Sequence, residues 1–177
     1  MAHTVLVVVI AFDLDRDKET NEVILGPGTK RACDEAILYA RSIPYAIVLT
    51  TATRAGPEYN RVQMGELMRK YLWDKAPDLT AQFLEAKTFD TIGEVFEAAK
   101  FAYSQRYVVS KVVFIVKSWH AFRLRMVANI IFKWYKLRRP FVQTHELPAS
   151  RKLIWHERIG TVENWFRLQI IKMVGYS

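Results

Sequence analysis

Along the chain, short apolar runs alternate with longer segments whose apolar residues recur every three or four positions. Thr4–Ala11 (TVLVVVIA), Tyr45–Thr50 (YAIVLT) and Lys111–Val116 (KVVFIV) have the length and β-branching of strands buried on both faces. Thr80–Leu84 and Phe141–Thr144 are shorter strand candidates. The intervening spacing predicts helices. One runs from near Thr29 to Pro44, with Ala32, Ala36, Leu38, Tyr39 and Ile43 inward. Another covers Arg61–Trp73, with Val62, Leu67, Met68, Tyr71 and Leu72 inward. A third begins at the capping box Thr91-Ile92-Gly93-Glu94 and reaches about Gln105. A fourth runs from His120 to about Lys136 and is stopped by Pro140. From Arg151 onward a helix broken near Gly160 is expected, with Val162, Trp165, Phe166, Ile170 and Met173 packed on the sheet.

Strands and helices thus alternate about five times, the pattern of an α/β fold with a mainly parallel sheet of about five strands. No linker or repeat divides the chain, so residues 1–177 read as one domain, with 151–177 a helical segment on it. The apolar runs are too short to span a bilayer, and no secretion signal opens the sequence. A single cysteine, Cys33, excludes an internal disulfide, and no zinc-ligand spacing is present. A cytoplasmic location is the expectation.

Charge adds a partner class. The chain carries a net charge of +8, and between Ala98 and His145 there is no Asp or Glu. That segment holds Lys100, Arg106, Lys111, Lys117, Arg123, Arg125, Lys133, Lys136, Arg138 and Arg139. An anionic partner follows: a phosphate-bearing small molecule, nucleic acid or an anionic membrane. Trp119, Phe122, Trp134 and Tyr135 are interleaved with these cations, which makes a nucleic-acid-binding module the alternative reading. The apolar C-terminal helix offers a further one, a membrane-peripheral or self-associating protein.

In a parallel sheet all strand exits share one edge. Those exits collect Asp13 and Asp15, Thr50 to Arg54, Glu85, Lys117 to His120, and His145-Glu146. Ser118, His120 and Arg123 are the sharpest group. Ser118 stands where a helix N-cap or anion-binding hydroxyl is expected, and His120 and Arg123 share a helical face. Arg123 would clamp a phosphate or carboxylate, with Lys117 beside it, and His120 would transfer a proton. Glu85 and Glu94 are the candidate carboxylates of the same edge.

Several of these residues form a pattern that resembles the YdcF/SanA-like family of bacterial α/β proteins. The resemblance covers about Val5 to Thr144. It is carried by Gly26 and Gly28, by Arg31 with Ala36-Ile37-Leu38-Tyr39, by Leu49-Thr50-Thr51-Ala52, and by Met68 and Leu72. Further on it is carried by Glu85, by Thr91 and Glu94, and by Ser118, His120 and Arg123. Thr51-Ala52 stand where the family has a glycine pair, and Val95 where Asn is usual, so the chain reads as a divergent member. It also reads as one without the membrane anchor of many relatives, a group linked to the cell envelope. The resemblance implies a Rossmann-like three-layer sandwich. It also implies a nucleotide or S-adenosylmethionine-like ligand at the strand exits. The strand-exit residues themselves make hydrolysis or transfer at phosphate the candidate reaction, with Mg²⁺ a candidate ion. His120, Glu85 and Glu94 would then be catalytic. Ser118, Arg123, Lys117, Asp13, Thr51 and Arg31 would bind the ligand.

Overall fold

The β-branched run at the start of the chain is buried on both sides because its side chains feed two cores. The computed structural model describes residues 4–52, 59, 62–88, 90–106, 108–145 and 151–174. Strand β1 (Thr4–Ile10) points Val5, Val7 and Val9 to one face and Leu6, Val8 and Ile10 to the other. Strand β6 (Val109–Lys117) does the same with Val113 and Ile115 against Val112, Phe114 and Val116. This period-two alternation is what a helix layer on each face requires. Helices α1 (Pro27–Arg41) and α2 (Met64–Lys75) cover the valine face of β1. Helices α3 (Thr91–Ser104) and α4 (Ala121–Trp134) cover the other.

Three more strands complete the sheet: β4 (Ala46–Ala52), β5 (Phe83–Lys87) and β7 (Phe141–His145). All pairings are parallel, in the order β5-β4-β1-β6-β7, with Val7 opposite Val48 on one side and Val113 on the other. The result is the α/β Rossmann-like sandwich expected from the sequence. The chain winds outward from β1 through β4 to β5, then returns across the sheet to β6 and β7. The order therefore reverses between β1 and β6, the position where such sheets open a crevice at their carboxyl ends. Among the described residues no helix is long and apolar enough to cross a membrane.

Several boundaries differ from the sequence expectation. The third core strand is Phe83–Lys87 rather than Thr80–Leu84, and Pro77–Gln82 forms a 3-10 turn before it. Glu85 consequently lies inside a strand, opposite Thr50. The loop after β1 contains an antiparallel hairpin, β2 (Leu14–Arg16) with β3 (Val23–Leu25). In α1, Leu38 faces solvent while Cys33 and Ile37 are buried. The capping residue of α3 is Asp90, not Thr91: its carboxylate accepts from the Gly93 amide at 2.8 Å. Ser118 opens a 3-10 turn, Ser118–His120, and His120 itself occupies the cap position of α4.

The largest difference lies in helix α5 (Arg151–Val174), which runs unbroken through Gly160. Its expected inward face is outward: Val162, Trp165, Phe166, Ile170 and Met173 are exposed, as are Trp155 and Ile159. The helix instead docks on α4 through Gly160, Asn164 and Leu168, with Leu168 sealed in the core. A mixed stripe of Glu157, Gly160, Asn164, Leu168 and Ile171, spaced three and four residues apart, thus faces the protein.

Candidate functional site

A cavity of about 360 Å³ opens at the switch point, outside the ends of β1 and β6. Ile10, Ala11 and Phe12 come to it from β1, and Trp119 and His120 from the turn after β6. Asp90, Thr91 and Glu94 come from the start of α3, Arg123 from α4, and Glu157, Glu163, Asn164 and Arg167 from α5.

His120 is only 3% exposed, and its ring packs edge-on against Phe12 and Trp119. Its Nδ1 lies 2.8 Å from Glu157 Oε2 and 3.0 Å from Arg123 Nη2. One nitrogen cannot donate to the carboxylate and accept from the guanidinium at once. The carboxylate contact is shorter and charge-assisted, and Arg123 Nη2 has its own acceptor in Glu157 Oε1 at 3.0 Å. Nδ1 therefore carries the hydrogen and donates to Glu157. Nε2 keeps its lone pair, and no described residue bonds to it. Burial holds the imidazole pKa below its ordinary value, with Arg123 and Lys117 adding to the effect against the pull of Glu157. The ring is thus neutral at pH 7, in the tautomer of a general base.

Glu94 is 2% exposed, and burial pushes its carboxyl up to about 8, against the hydrogen bond from Thr51 and the charge on Arg123. The hydrogen bonds agree with a protonated acid. The single hydroxyl hydrogen of Thr51 faces two acceptors, the Val9 carbonyl at 3.2 Å and Glu94 Oε1 at 3.1 Å. With Glu94 protonated, its O–H donates to Thr51 and Thr51 donates to Val9, so no acceptor is left over. One cavity is therefore lined by a neutral acid and a neutral base.

Arg123 is held tightly. Glu157 takes Nη2, while Nε is buried without a partner. The guanidinium lies over Gly160 of α5, where an added Cβ would stand 2.5 Å from Nη1. Gly160→Ala should therefore displace Arg123 from Glu157, and in urea unfolding this loss should cancel most or all of the roughly 1 kcal/mol that alanine adds to a helix interior. A net stabilisation of about 1 kcal/mol would mean that the guanidinium moves aside freely.

A second group lies behind Phe12. Asp13 accepts from the amides of Gly28 (3.0 Å) and Thr29 (2.7 Å) and from the Thr29 hydroxyl (2.8 Å), with Lys117 Nζ at 3.5 Å. Burial alone would raise its pKa, but the Thr29 hydroxyl, Lys117 and the two amides together hold it below the usual carboxylate value. Gly28 has no room for a side chain, since a Cβ would meet Lys117 at 2.5 Å. The N-terminus of α1 at the switch point is where related folds hold pyrophosphate. Here it holds an anion of the chain's own, and the site does not fit a dinucleotide phosphate without displacing Asp13. Metal chemistry finds no donor set either: no group of three His, Cys, Asp or Glu among the described residues could hold an ion.

Of the residues singled out from the sequence, His120, Glu94 and Arg123 converge on the cavity, and Thr51 supports Glu94. Lys117 and Asp13 pair beside it, and Lys117 also lies over the Phe12 and Trp119 rings. Ser118 is exposed in its turn and Arg31 is exposed on α1. Glu85 sits away from the cavity, 3.4 Å from Arg69 of α2. Thr53, Arg54 and Glu146 lie outside the described residues, as does the side chain of His145. Glu157, Asn164, Arg167 and Asp90 were not anticipated. Arg167 pairs with Asp90 at 2.6 Å across the cavity mouth. The signal for Glu157, Asn164 and Arg167 was the set of polar residues at helical spacing in α5, and for Asp90 its place just before the α3 helix. Comparison of the chain with protein-family models, with curated proteins and with solved structures gives no match.

Proposed function

We propose that the switch-point cavity binds a small polar molecule and acts on it by proton transfer, as a hydrolase or transferase, with His120 as base and Glu94 as acid. The observation that carries this reading is the opposed protonation of two buried groups lining one cavity: an imidazole with a free Nε2 and a carboxyl that keeps its proton. Glu157 positions the imidazole. The resemblance to the YdcF/SanA-like family supports the same strand edge and a phosphate-bearing or nucleotide-like ligand. Arg123 and Arg167 each already hold a carboxylate, so a phosphate would bind by taking the place of Glu157 or Asp90.

A thermal-shift screen tests this with the wild type, His120→Asn and Glu94→Gln. Nucleotides, sugar phosphates, S-adenosylmethionine and uncharged polar analogues form the panel, each with and without Mg²⁺. A ligand at a hundred times its Kd stabilises by about 2.7 kcal/mol. The expected result is a hit that survives in Glu94→Gln, with turnover lost in both variants. A hit whose binding and turnover are untouched by either substitution would place the ligand elsewhere and end the proposal.

A further inference from the structure

At the opposite, amino-terminal edge of the sheet runs a groove of about 780 Å³, larger than the cavity just described. It lies between the end of α3, the first residues of β6 and the segment that follows α4. Arg106, Lys111, Lys136, Arg138 and Arg139 line it, and among the described residues no carboxylate does. Lys136, Arg138 and Arg139 form no ion pair with any described residue. Five cations that share one concave surface repel one another, and the strain is relieved when an anion enters.

The backbone adds an independent observation. Helix α4 closes with the Leu137 amide bonded to the Phe132 carbonyl (2.9 Å) and the Lys136 amide to the Lys133 carbonyl (3.1 Å). That pair of bonds is a Schellman closure, whose left-handed residue is usually glycine. Here it is Lys136, with φ of 54°. A side chain in this region costs about 1 kcal/mol or more relative to glycine. The fold thus bears a local strain that places one more cation in the groove.

Aromatic faces accompany the cations. Tyr103 is 43% exposed and lies 5.7 Å from Tyr135, ring to ring. The Arg106 guanidinium stands 4.6 Å from the Tyr103 ring. Tyr103 and Tyr135 line the groove. Aromatic faces set among the cations suit stacked bases, a contact that neither a lipid headgroup nor a free polyphosphate would make. We propose that this groove binds single-stranded nucleic acid, with Lys111, Lys136, Arg138 and Arg139 on successive phosphates and a base stacked on Tyr103.

Fluorescence anisotropy with a labelled oligothymidine of about 12 nucleotides at about 50 mM salt is the test. Binding is expected to weaken with salt by about 0.7 in log–log slope for each phosphate contacted. Arg138→Ser with Arg139→Ser should then reduce the slope by about 1.4. Lys136→Gly separates binding from folding: it should melt higher than the wild type yet bind less tightly. Tyr103→Ala should cost about fivefold or more on the oligonucleotide and nothing on an abasic strand. The proposal falls if the wild type does not bind at low salt, or if Lys136→Gly and the double serine variant bind like the wild type. It falls equally if Tyr103→Ala is silent, or if phosphatidylserine vesicles are bound and the oligonucleotide is not.

Discussion

Glu157→Ala is expected to destabilise the fold by about 3 kcal/mol or more. The Arg123 guanidinium is mostly buried, and among the described residues its Nε has no partner and Glu157 is the one carboxylate paired with it. Removing that carboxylate leaves a charge away from water and takes the acceptor from His120 Nδ1. Helix α5 loses an anchor at the same stroke. Removing both charges should be gentler, because Arg123→Met with Glu157→Leu leaves no buried unpaired charge, only the neutral His120 Nδ1–H without its acceptor. Urea unfolding followed by tryptophan emission measures both. A loss below about 1 kcal/mol for Glu157→Ala would assign the pair to the weak class of exposed salt bridges.

Glu94→Gln should remove a pH dependence that the wild type carries above pH 6.5. The folded pKa of Glu94, about 8, lies above its ordinary value of 4.5. The folded state therefore binds the proton more tightly than the unfolded chain does. The associated stability is full below about pH 4.5, declines as pH rises and is gone above about pH 8. His120 acts in the other direction. Its folded pKa is depressed below 6.5, so its contribution is present above that pH and is lost as pH falls. The two oppose each other between about pH 4.5 and 6.5, and from there to the onset of titration of the buried Cys33 thiol, which burial raises above its ordinary 9.0, Glu94 sets the slope among the described residues. Unfolding free energies at about pH 6.5 and 8.5 should fall by roughly 1–3 kcal/mol in the wild type and stay level in Glu94→Gln. A slope equal in both proteins would mean that Glu94 is ionised at neutral pH and is no acid.

The central strands were legible because burial on both faces leaves a continuous β-branched run, as in Val5–Ile10 and Val112–Val116. One edge strand was displaced: Phe83-Leu84-Glu85-Ala86-Lys87 carries two charges, so its pattern is weaker than that of the turn preceding it, whereas the other edge, Phe141–His145, was read to within a residue. The hairpin after β1 escaped because three-residue strands have no periodicity to read. His120, Arg123 and Glu94 were found because a strand exit constrains its neighbours in sequence. Glu157 was not, since 37 residues separate it from His120 and only packing joins them. Amphipathic spacing in α5 was plain, but spacing does not say which face a protein will cover. Here the cavity needed the polar face, and the apolar one was left outside.

That inversion leaves the C-terminal helix lightly held. Among its described residues Leu168 is the one fully sealed apolar side chain, joined by partly buried Ile171, buried Asn164 and the ion pairs of Glu157 and Arg167. Its amides are expected to exchange with solvent deuterium at a lower free energy than those of β1 and β6, by opening without global unfolding. Each opening takes Glu157 away from His120 and resets the imidazole's tautomer and basicity. With His120 in the proposed role of base, the competent state of the cavity would exist only during the closed dwell of one helix, and the fraction of time closed would set an upper bound on its population.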